Sequence, residues 1–284
     1  MPLARGTLLC QSAAMWGVMK LVMVAALGWA LLVGLIALMQ ERMLFPRLPQ
    51  SAITLPPEAE PLSLTTPEGD RLQGHRLPGS GAPGERALIL GFGGNGWDAR
   101  ATLLYLHAAF PGHDVAAFHY RGYAPSEGRP SAAALMQDAV LIHDALTDAH
   151  DGPVIAVGIS LGSGAAAHLA GARPLHGVIL MTAFDDLTEV ARQSFPWAPV
   201  RLLFRHAMPA ADSLATSAAP VALITASEDR VIPAARTAAL RARLPPGRLV
   251  LDVTLTAGHD DIHTPPETRA ALRRALDALL DHRP

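Results

Sequence analysis

Apolar residues are distributed along this chain in two ways. Near the N-terminus they form one uninterrupted run from Leu21 to Met39, whereas from about residue 62 onward short apolar runs alternate with amphipathic stretches. A short apolar run bounded by turn residues is typical of a buried strand, and apolar residues spaced by three or four positions are typical of a helix that covers a core. The two patterns therefore predict two different structures.

The alternating region predicts eight strands and five helices. The strands are Leu62–Thr66, Arg71–Leu77, Ala87–Leu90, Val115–His119, Val154–Gly158, Gly177–Met181, Val221–Thr225 and Arg248–Val253. The helices are Ala99–Ala109, Ser131–Ala149, Gly162–Ala172, Pro233–Leu244 and Glu267–Leu280. The first two strands form a hairpin, and the alternation that follows predicts an α/β fold with a mostly parallel sheet and helices on both faces.

The N-terminal run predicts a transmembrane anchor. Its 19 residues carry no charge, and at about 1.5 Å per residue they are long enough to cross a hydrocarbon core of about 30 Å. A cleaved signal peptide is the alternative, but no A-x-A-like cleavage site follows the run. Basic residues are balanced on its two flanks, and the terminal amine then favours an N-terminus that faces inside.

The composition shift after this run predicts four segments. These are an N-terminal segment (1–20), the anchor (21–40), a Pro-rich link beside the membrane (41–61), and an α/β domain (62–284) with a small cap at about 182–219. In the link, Met43, Leu44 and Phe45 are expected at the bilayer interface, with packing on the domain as the alternative.

Composition and charge exclude several function classes. The chain has 284 residues, of which 50% are hydrophobic, and its net charge is −2 with no basic stripe. Nucleic acid is therefore not expected as a partner. Cys10 is the one cysteine, so no disulfide framework is expected, and no metal-binding motif is present. The chemistry is expected to need no cofactor.

Ser160 lies in a G-x-S-x-G motif, residues 158–162, between a predicted strand and a small-residue helix. At such a sharp turn the serine is held in a strained conformation that exposes its hydroxyl above the sheet, and small neighbours avoid a collision across the turn. The motif therefore predicts a nucleophile.

A serine hydroxyl is a poor nucleophile at neutral pH, so it needs a base and an acid that orients the base. Asp229 follows the seventh predicted strand and is the predicted orienting acid, and His259 follows the eighth and is the predicted general base. The order serine, acid, histidine is expected for this type of turn. Asp185 and Asp186 remain alternatives for the acid, and His263 for the base.

A Gly-rich loop, residues 91–96, follows the third predicted strand. Its backbone N–H groups could form half of an oxyanion hole, and the N–H of Leu161 could form the other half. Within the loop, the donor is expected to be the amide of Asn95 or Gly94.

These motifs resemble those of the α/β-hydrolase superfamily, and within it the membrane-anchored branch that is serine aminopeptidase-like and includes depalmitoylases. The resemblance spans about residue 42 to the C-terminus and rests on Gly93-Gly94-Asn95-Gly96, residues 120–128 (YRGYAPSEG), the Ser160 motif, Asp229 with Pro233, and Gly258-His259-Asp260. It implies the α/β-hydrolase fold and a Ser-His-Asp triad. The chain departs from the pattern at Gly93, where the family commonly has a histidine.

The insertion between the sixth and seventh predicted strands is expected to form the cap. Its apolar residues would line a pocket for an acyl group, with the buried face of ordinary helices as the alternative; they are Phe184, Phe195, Pro196, Trp197, Leu202, Leu203 and Phe204.

The sequence thus predicts a single-pass membrane protein that hydrolyses an ester or thioester, less readily an amide, on a small-molecule or lipidated acyl substrate. The alternatives are a perhydrolase or haloperoxidase that uses the same triad, and a non-catalytic membrane-anchored binding or scaffold protein that keeps the fold.

Overall fold

The computed structural model describes residues 4–47, 52–82, 84–148 and 150–282. The chain divides into two compact units, Met1–Met43 and Leu44–Pro284. Residues 48–51 of the predicted link, and Ala149 at the end of the second predicted helix, lie outside the described residues.

The first unit consists of helix α1, which spans Ala4–Leu44. Its segment Met15–Leu44 has a mean hydropathy of 2.6, and within the described residues it is the one helix that is long and apolar enough to cross a membrane. This confirms the prediction of an N-terminal helix with the length and composition of a membrane span.

The second unit is built on one eight-stranded sheet. Its strands are β1 (Glu60–Thr65), β2 (Arg71–Leu77), β3 (Leu88–Phe92), β4 (Asp114–Phe118), β5 (Val154–Ile159), β6 (Gly177–Met181), β7 (Val221–Ala226) and β8 (Leu249–Leu255). They lie in the order β1-β2-β4-β3-β5-β6-β7-β8. The pairs β1–β2 and β2–β4 are antiparallel, and all later pairs are parallel. The mostly parallel sheet is thereby confirmed.

Helices cover both faces of the sheet, as the alternating pattern predicts. They are α2 (Ala99–Ala109), α3 (Ala132–Thr147), α4 (Leu161–Ala172), α5 (Leu187–Ser194), α6 (Val200–Leu203), α7 (Ala210–Thr216), α8 (Ala234–Arg243) and α9 (Pro266–Leu280). Helices α2 and α9 pack on one face, while α3, α4, α7 and α8 contribute to the core on the other.

The two cores follow from the period-two alternation of side chains along each strand. In β3, Leu88 and Leu90 point into one core and Ile89 points into the other. Because six strands run in parallel, their carboxyl ends meet at one edge of the sheet, and the loops that follow β3, β5, β7 and β8 meet there. These are the loops that carry the predicted site residues.

Phe45 belongs to the core and not to a bilayer interface. Its side chain is 2% exposed and packs in the same core as β3 and α4, with its ring centroid 5.2 Å from that of His206. Met43, by contrast, is 49% exposed. The alternative in which this segment packs on the domain therefore holds for Phe45, because burial of an aromatic ring is strongly favourable.

We expect Phe45→Ala to lower the free energy of unfolding of the domain by about 3–5 kcal/mol, the usual cost of an aromatic cavity in a core. Chemical denaturation of the detergent-solubilised full chain measures this. Met43→Ala is the matched control and should change stability by less than about 0.5 kcal/mol. Equal effects of the two substitutions would contradict the placement of Phe45.

Candidate active site

Ser160 lies at the turn between β5 and α4, with φ 50° and ψ −116°. A non-glycine residue with such a positive φ is strained. The turn is also too tight for side chains on its flanks. A Cβ atom on Gly158 would lie 2.6 Å from the carbonyl oxygen of Gly162, and a Cβ atom on Gly162 would approach the carbonyl oxygen of Phe92 even more closely. The two glycines of the motif thus have the steric role that the sequence analysis assigns to them.

The loops after β7 and β8 bring Asp229 and His259 to Ser160. The Ser160 Oγ lies 2.8 Å from the His259 Nε2, and the His259 Nδ1 lies 2.8 Å from the Asp229 Oδ2. The His259 side chain is 11% exposed and the Asp229 side chain 7%. The three predicted residues therefore form a continuous hydrogen-bonded chain that is largely shielded from water.

Asp229 accepts three hydrogen bonds on its two carboxylate oxygens. Burial raises the pKa of Asp229, but the hydrogen bonds from the His259 ring and from the amides of Ile232 and Val231, together with the charge interaction with His259, lower it by more, so that the net shift is downward. Both amides donate to Oδ1 at 2.8 Å, which leaves Oδ2 for the imidazole. Asp229 is thus an ionised acceptor with a fixed orientation.

The predicted oxyanion donors lie on the same cavity as Ser160 and His259. Leu161 begins α4, so its amide belongs to the first turn of a helix, where backbone N–H groups have no intrahelical partner. Gly94 and Asn95 line the cavity from the loop after β3, and a Cβ atom on Gly94 would lie 3.6 Å from the Ser160 Cβ. The fold therefore brings both halves of the predicted oxyanion hole next to the serine.

Comparison with known proteins agrees with this architecture. Residues 88–207 match the family model for the alpha/beta hydrolase fold. The uncharacterized protein Rv2307c of Mycobacterium tuberculosis is 33% identical over 217 residues, which cover 74% of this chain and 76% of that protein. The chain belongs to the α/β-hydrolase superfamily.

Solved structures share the fold of this α/β-hydrolase at low sequence identity. The Pyrococcus furiosus esterase Pf2001 superposes with a TM-score of 0.65 at 16% identity, over 83% of this chain and 98% of that structure. An alpha-beta serine hydrolase homologue from Coxiella burnetii superposes with a TM-score of 0.57 at 16% identity, over 79% and 100%. At this identity the likeness concerns the fold.

A cavity of about 320 Å³ lies beside Ser160 in this α/β-hydrolase. Ser160 and His259 are among its polar lining residues, and a mostly apolar cavity with a smaller number of polar groups is typical of a ligand site. Its apolar lining comes from the first residues of the domain, from the cap and from the loops; these residues are Leu44, Pro46, Trp97, Ile159, Leu161, Phe184, Leu187, Val190, Val231, Ile232 and Ile262.

The structure corrects the predicted role of the cap residues. Of the seven apolar residues proposed as the pocket lining, Phe184 lines the cavity, whereas Trp197, Leu202 and Leu203 are exposed. The lining comes instead from Leu187 and Val190 on α5. The reason is that α5 faces the cavity, while the segment after it turns away.

The alternative site residues have other partners. Asp185 lies 3.3 Å from the Nη1 of Arg236, and Asp186 accepts a hydrogen bond from the Thr188 amide at the start of α5. His263 lines the cavity and packs edge-on against Trp97. None of the three has a contact with the Ser160 hydroxyl or with His259 among the described interactions.

Tyr120 supports the Gly-rich loop after β3, a contact that the sequence analysis does not predict. Its hydroxyl donates to the carbonyl oxygen of Gly93 at 2.6 Å. Desolvation in the protein raises the pKa of Tyr120 well above its usual value, so the hydroxyl remains a donor. Gly93 itself has no room for a side chain, because a Cβ atom would lie 2.5 Å from the Thr102 Oγ1. The Tyr120 hydroxyl therefore supports the loop at Gly93, a position at which the packed Thr102 side chain excludes a larger residue.

We expect Tyr120→Phe to lower kcat by about tenfold with little change in KM, because one anchor of the oxyanion loop is lost and a carbonyl is left without its donor. Steady-state hydrolysis of a soluble ester measures both constants. Tyr105→Phe is the matched control, since the Tyr105 hydroxyl is buried without a hydrogen-bond partner among the described residues. A loss of stability with unchanged kcat would contradict this role.

Proposed function

We propose that this protein is a membrane-anchored serine hydrolase that cleaves an ester or thioester through Ser160, His259 and Asp229. The observation that carries the proposal is the chain of two hydrogen bonds, each 2.8 Å long, from the Ser160 Oγ through the imidazole to the Asp229 carboxylate. Together with the strained turn and the adjacent oxyanion loop, this is the arrangement that activates a serine for acyl transfer.

The proposed reaction proceeds in two halves. The Ser160 Oγ attacks the acyl carbon while its proton moves to the His259 Nε2, and the oxyanion accepts hydrogen bonds from the amides of Leu161 and of Asn95 or Gly94. The imidazolium then gives its proton to the departing alcohol or thiol as the carbonyl reforms. In the second half, water attacks the acyl-enzyme with His259 as the base, and the acid product leaves.

The pattern of hydrogen bonds supports a role for His259 as the general base. Because both oxygens of Asp229 accept hydrogen bonds, and Oδ2 faces the Nδ1, the ring carries its proton on Nδ1 and presents the lone pair of Nε2 to the serine. The ionised carboxylate also stabilises the imidazolium that forms during attack. The Nδ1 proton therefore remains on the imidazole, while the Ser160 proton moves to Nε2 and from there to the leaving group.

The lining of the cavity supports an ester or thioester over a peptide. Recognition of a free peptide amine needs carboxylates near the site, and Asp260 is the one acidic residue among the described cavity-lining residues. The apolar walls fit an acyl group, and a volume of about 320 Å³ lies at the small end of ligand cavities. That a structural relative is an esterase is consistent with this substrate class.

The membrane location rests on α1. Its apolar segment is long enough to span a bilayer, and the domain begins directly after it. We therefore place the hydrolase at a membrane surface as a single-pass protein. A net charge of −2 argues against nucleic acid as a partner.

We expect a fluorophosphonate probe to label the detergent-solubilised wild type and to label neither Ser160→Ala nor His259→Ala, because only an activated serine reacts. Ester hydrolysis should fall by about 10⁴-fold or more in both variants. Thermal unfolding of each variant checks that the fold is intact. A folded wild type that remains unlabelled would favour the non-catalytic scaffold protein instead.

We expect Asp229→Asn to lower kcat by about 10³–10⁴-fold, because an amide cannot stabilise the imidazolium and allows the wrong tautomer. Asp185→Asn is the matched control, since Asp185 also follows a strand but pairs with Arg236. It should leave kcat within about threefold of the wild type. The reverse order of effects would identify Asp185 as the orienting acid.

A further inference from the structure

The walls of the cavity differ between the two faces of the sheet. Phe184, Leu187 and Val190 line the cavity and belong to the core that α3, α4, α7 and α8 cover. Trp97 and Ile262 line it as well, but they pack in the core under α2 and α9. The cavity therefore has two sides that are built from different cores.

The second side carries ionisable groups, which lie in the loop after β8. Asp260 and His263 flank Ile262 in this loop, and all three residues line the cavity. The His263 ring packs edge-on against Trp97, with the ring centroids 5.2 Å apart. Asp260 is exposed, and within the described part of the chain no ion pair or hydrogen bond involves its carboxylate. We call Trp97, Asp260 and His263 the leaving-group wall, for the reason given below.

The indole of Trp97 lies close to the reacting serine. The Trp97 amide donates a hydrogen bond to the carbonyl oxygen of Gly94 at 3.2 Å, and this turn brings the side chain next to Gly94. A Cβ atom on Gly94 would lie 3.4 Å from the Trp97 Nε1 and 3.6 Å from the Ser160 Cβ. A substrate bound at Ser160 therefore lies beside the indole ring.

The chemistry of acyl transfer assigns this side of the cavity to the leaving group. The general acid must lie within hydrogen-bond reach of the atom that it protonates, and in the proposed mechanism this acid is His259. Asp260 follows His259 directly in the chain, and His263 comes three residues later. The leaving group therefore lies beside the leaving-group wall, and the acyl group occupies the apolar side of Phe184, Leu187 and Val190.

The charge of the leaving-group wall discriminates between leaving groups. Asp260 is the one acidic residue among the described cavity-lining residues, and none of these is a lysine or an arginine. A cation in this place is attracted by the carboxylate and by the negative face of the indole ring. An anion meets a like charge instead, and no basic side chain of the described lining offsets it.

We propose that Asp260 and Trp97 make this hydrolase selective for esters and thioesters whose leaving group carries a positive charge, such as an amino alcohol or an amino thiol. The proposal rests on the function given under Proposed function and specifies its substrate class. It also agrees with the preference for esters over peptides, because the free amine of an aminopeptidase substrate belongs to the acyl side of the scissile bond, where the walls are apolar.

The covalent steps are the same as for any ester. The bond between the Ser160 Oγ and the acyl carbon forms, the bond from the acyl carbon to the alcohol oxygen breaks, and that oxygen takes its proton from His259. The positive group of the alcohol keeps its charge throughout. Water then releases the acid from the serine, so that one ester and one water give one acid and one amino alcohol.

The test compares two esters of the same shape, choline acetate and 3,3-dimethylbutyl acetate, which differ in the charge of one atom. We expect the detergent-solubilised full chain to have a kcat/KM about tenfold higher for the choline ester, after each value is corrected for the rate of that ester with hydroxide. Asp260→Asn should bring the two corrected values within about twofold of each other and leave the neutral ester unchanged. Trp97→Leu should lower the preference several-fold.

Asp261→Asn is the matched control. It removes the same charge from the next residue, which is exposed and is not one of the described cavity-lining residues. It should leave the preference for the choline ester unchanged. Raising the ionic strength from about 20 mM to about 500 mM should reduce the preference of the wild type, because salt screens an exposed carboxylate.

Equal corrected values for the two esters in the wild type, or a preference that survives Asp260→Asn, would overturn the proposal while leaving the hydrolase intact. An equal loss in Asp261→Asn would assign the preference to the general field of the surface and overturn the role of Asp260. Labelling of Ser160 by the fluorophosphonate probe without hydrolysis of the choline ester would also overturn the proposal. Absence of both labelling and hydrolysis would overturn the proposed function itself.

Discussion

The structure of the site depends on the close approach of two backbones at the Ser160 turn. The carbonyl oxygens of Phe92 and Gly93 lie so near to Gly162 that no side chain fits there. This contact joins the start of α4 to the end of β3, and it brings the loop that carries Gly94 within reach of the serine. The same packing maintains the unfavourable φ of Ser160, because the surrounding core over-determines the backbone. Ser160 and the loop that carries Gly94 are therefore positioned by one steric constraint.

The electrostatics of the site follow from the sheet. Parallel strands place the loops after β7 and β8 next to each other, so Asp229 and His259 meet although they are far apart in sequence. Burial alone raises the pKa of Asp229, but the hydrogen bond with the His259 ring and those from the amides of Ile232 and Val231 lower it by more, so the carboxylate stays charged. The imidazole and the turn together keep the acid in the ionised form on which the imidazole depends.

The spacing of apolar residues and the residues found at turns are local signals in the sequence, and they are sufficient to predict the strands of the sheet. For the eight strands and five helices predicted in the α/β domain, the ends differ from the structure by at most two residues, and the positions of Ser160, Asp229 and His259 after β5, β7 and β8 predicted where they meet. Contacts between remote segments carry no local signal. The bond from Tyr120 to Gly93 and the burial of Phe45 depend on which segments the fold brings together, and the direction in which the cap residues point depends on the short helices α5 and α6. A glycine where the family commonly has a histidine was the one sequence feature that pointed to a different support for the oxyanion loop.

The segment Leu44-Phe45-Pro46 makes the end of the apolar helix part of the site. Phe45 is fixed in the core, and this fixes its two neighbours as walls of the cavity. A domain that began at residue 62, as the Pro-rich composition suggests, would lack both walls and would leave a cavity in the core where the phenyl ring lies. The segment that follows the apolar helix is therefore not a flexible linker at this point. The packing of Phe45 in the core fixes the shape of the cavity at the place where the domain begins.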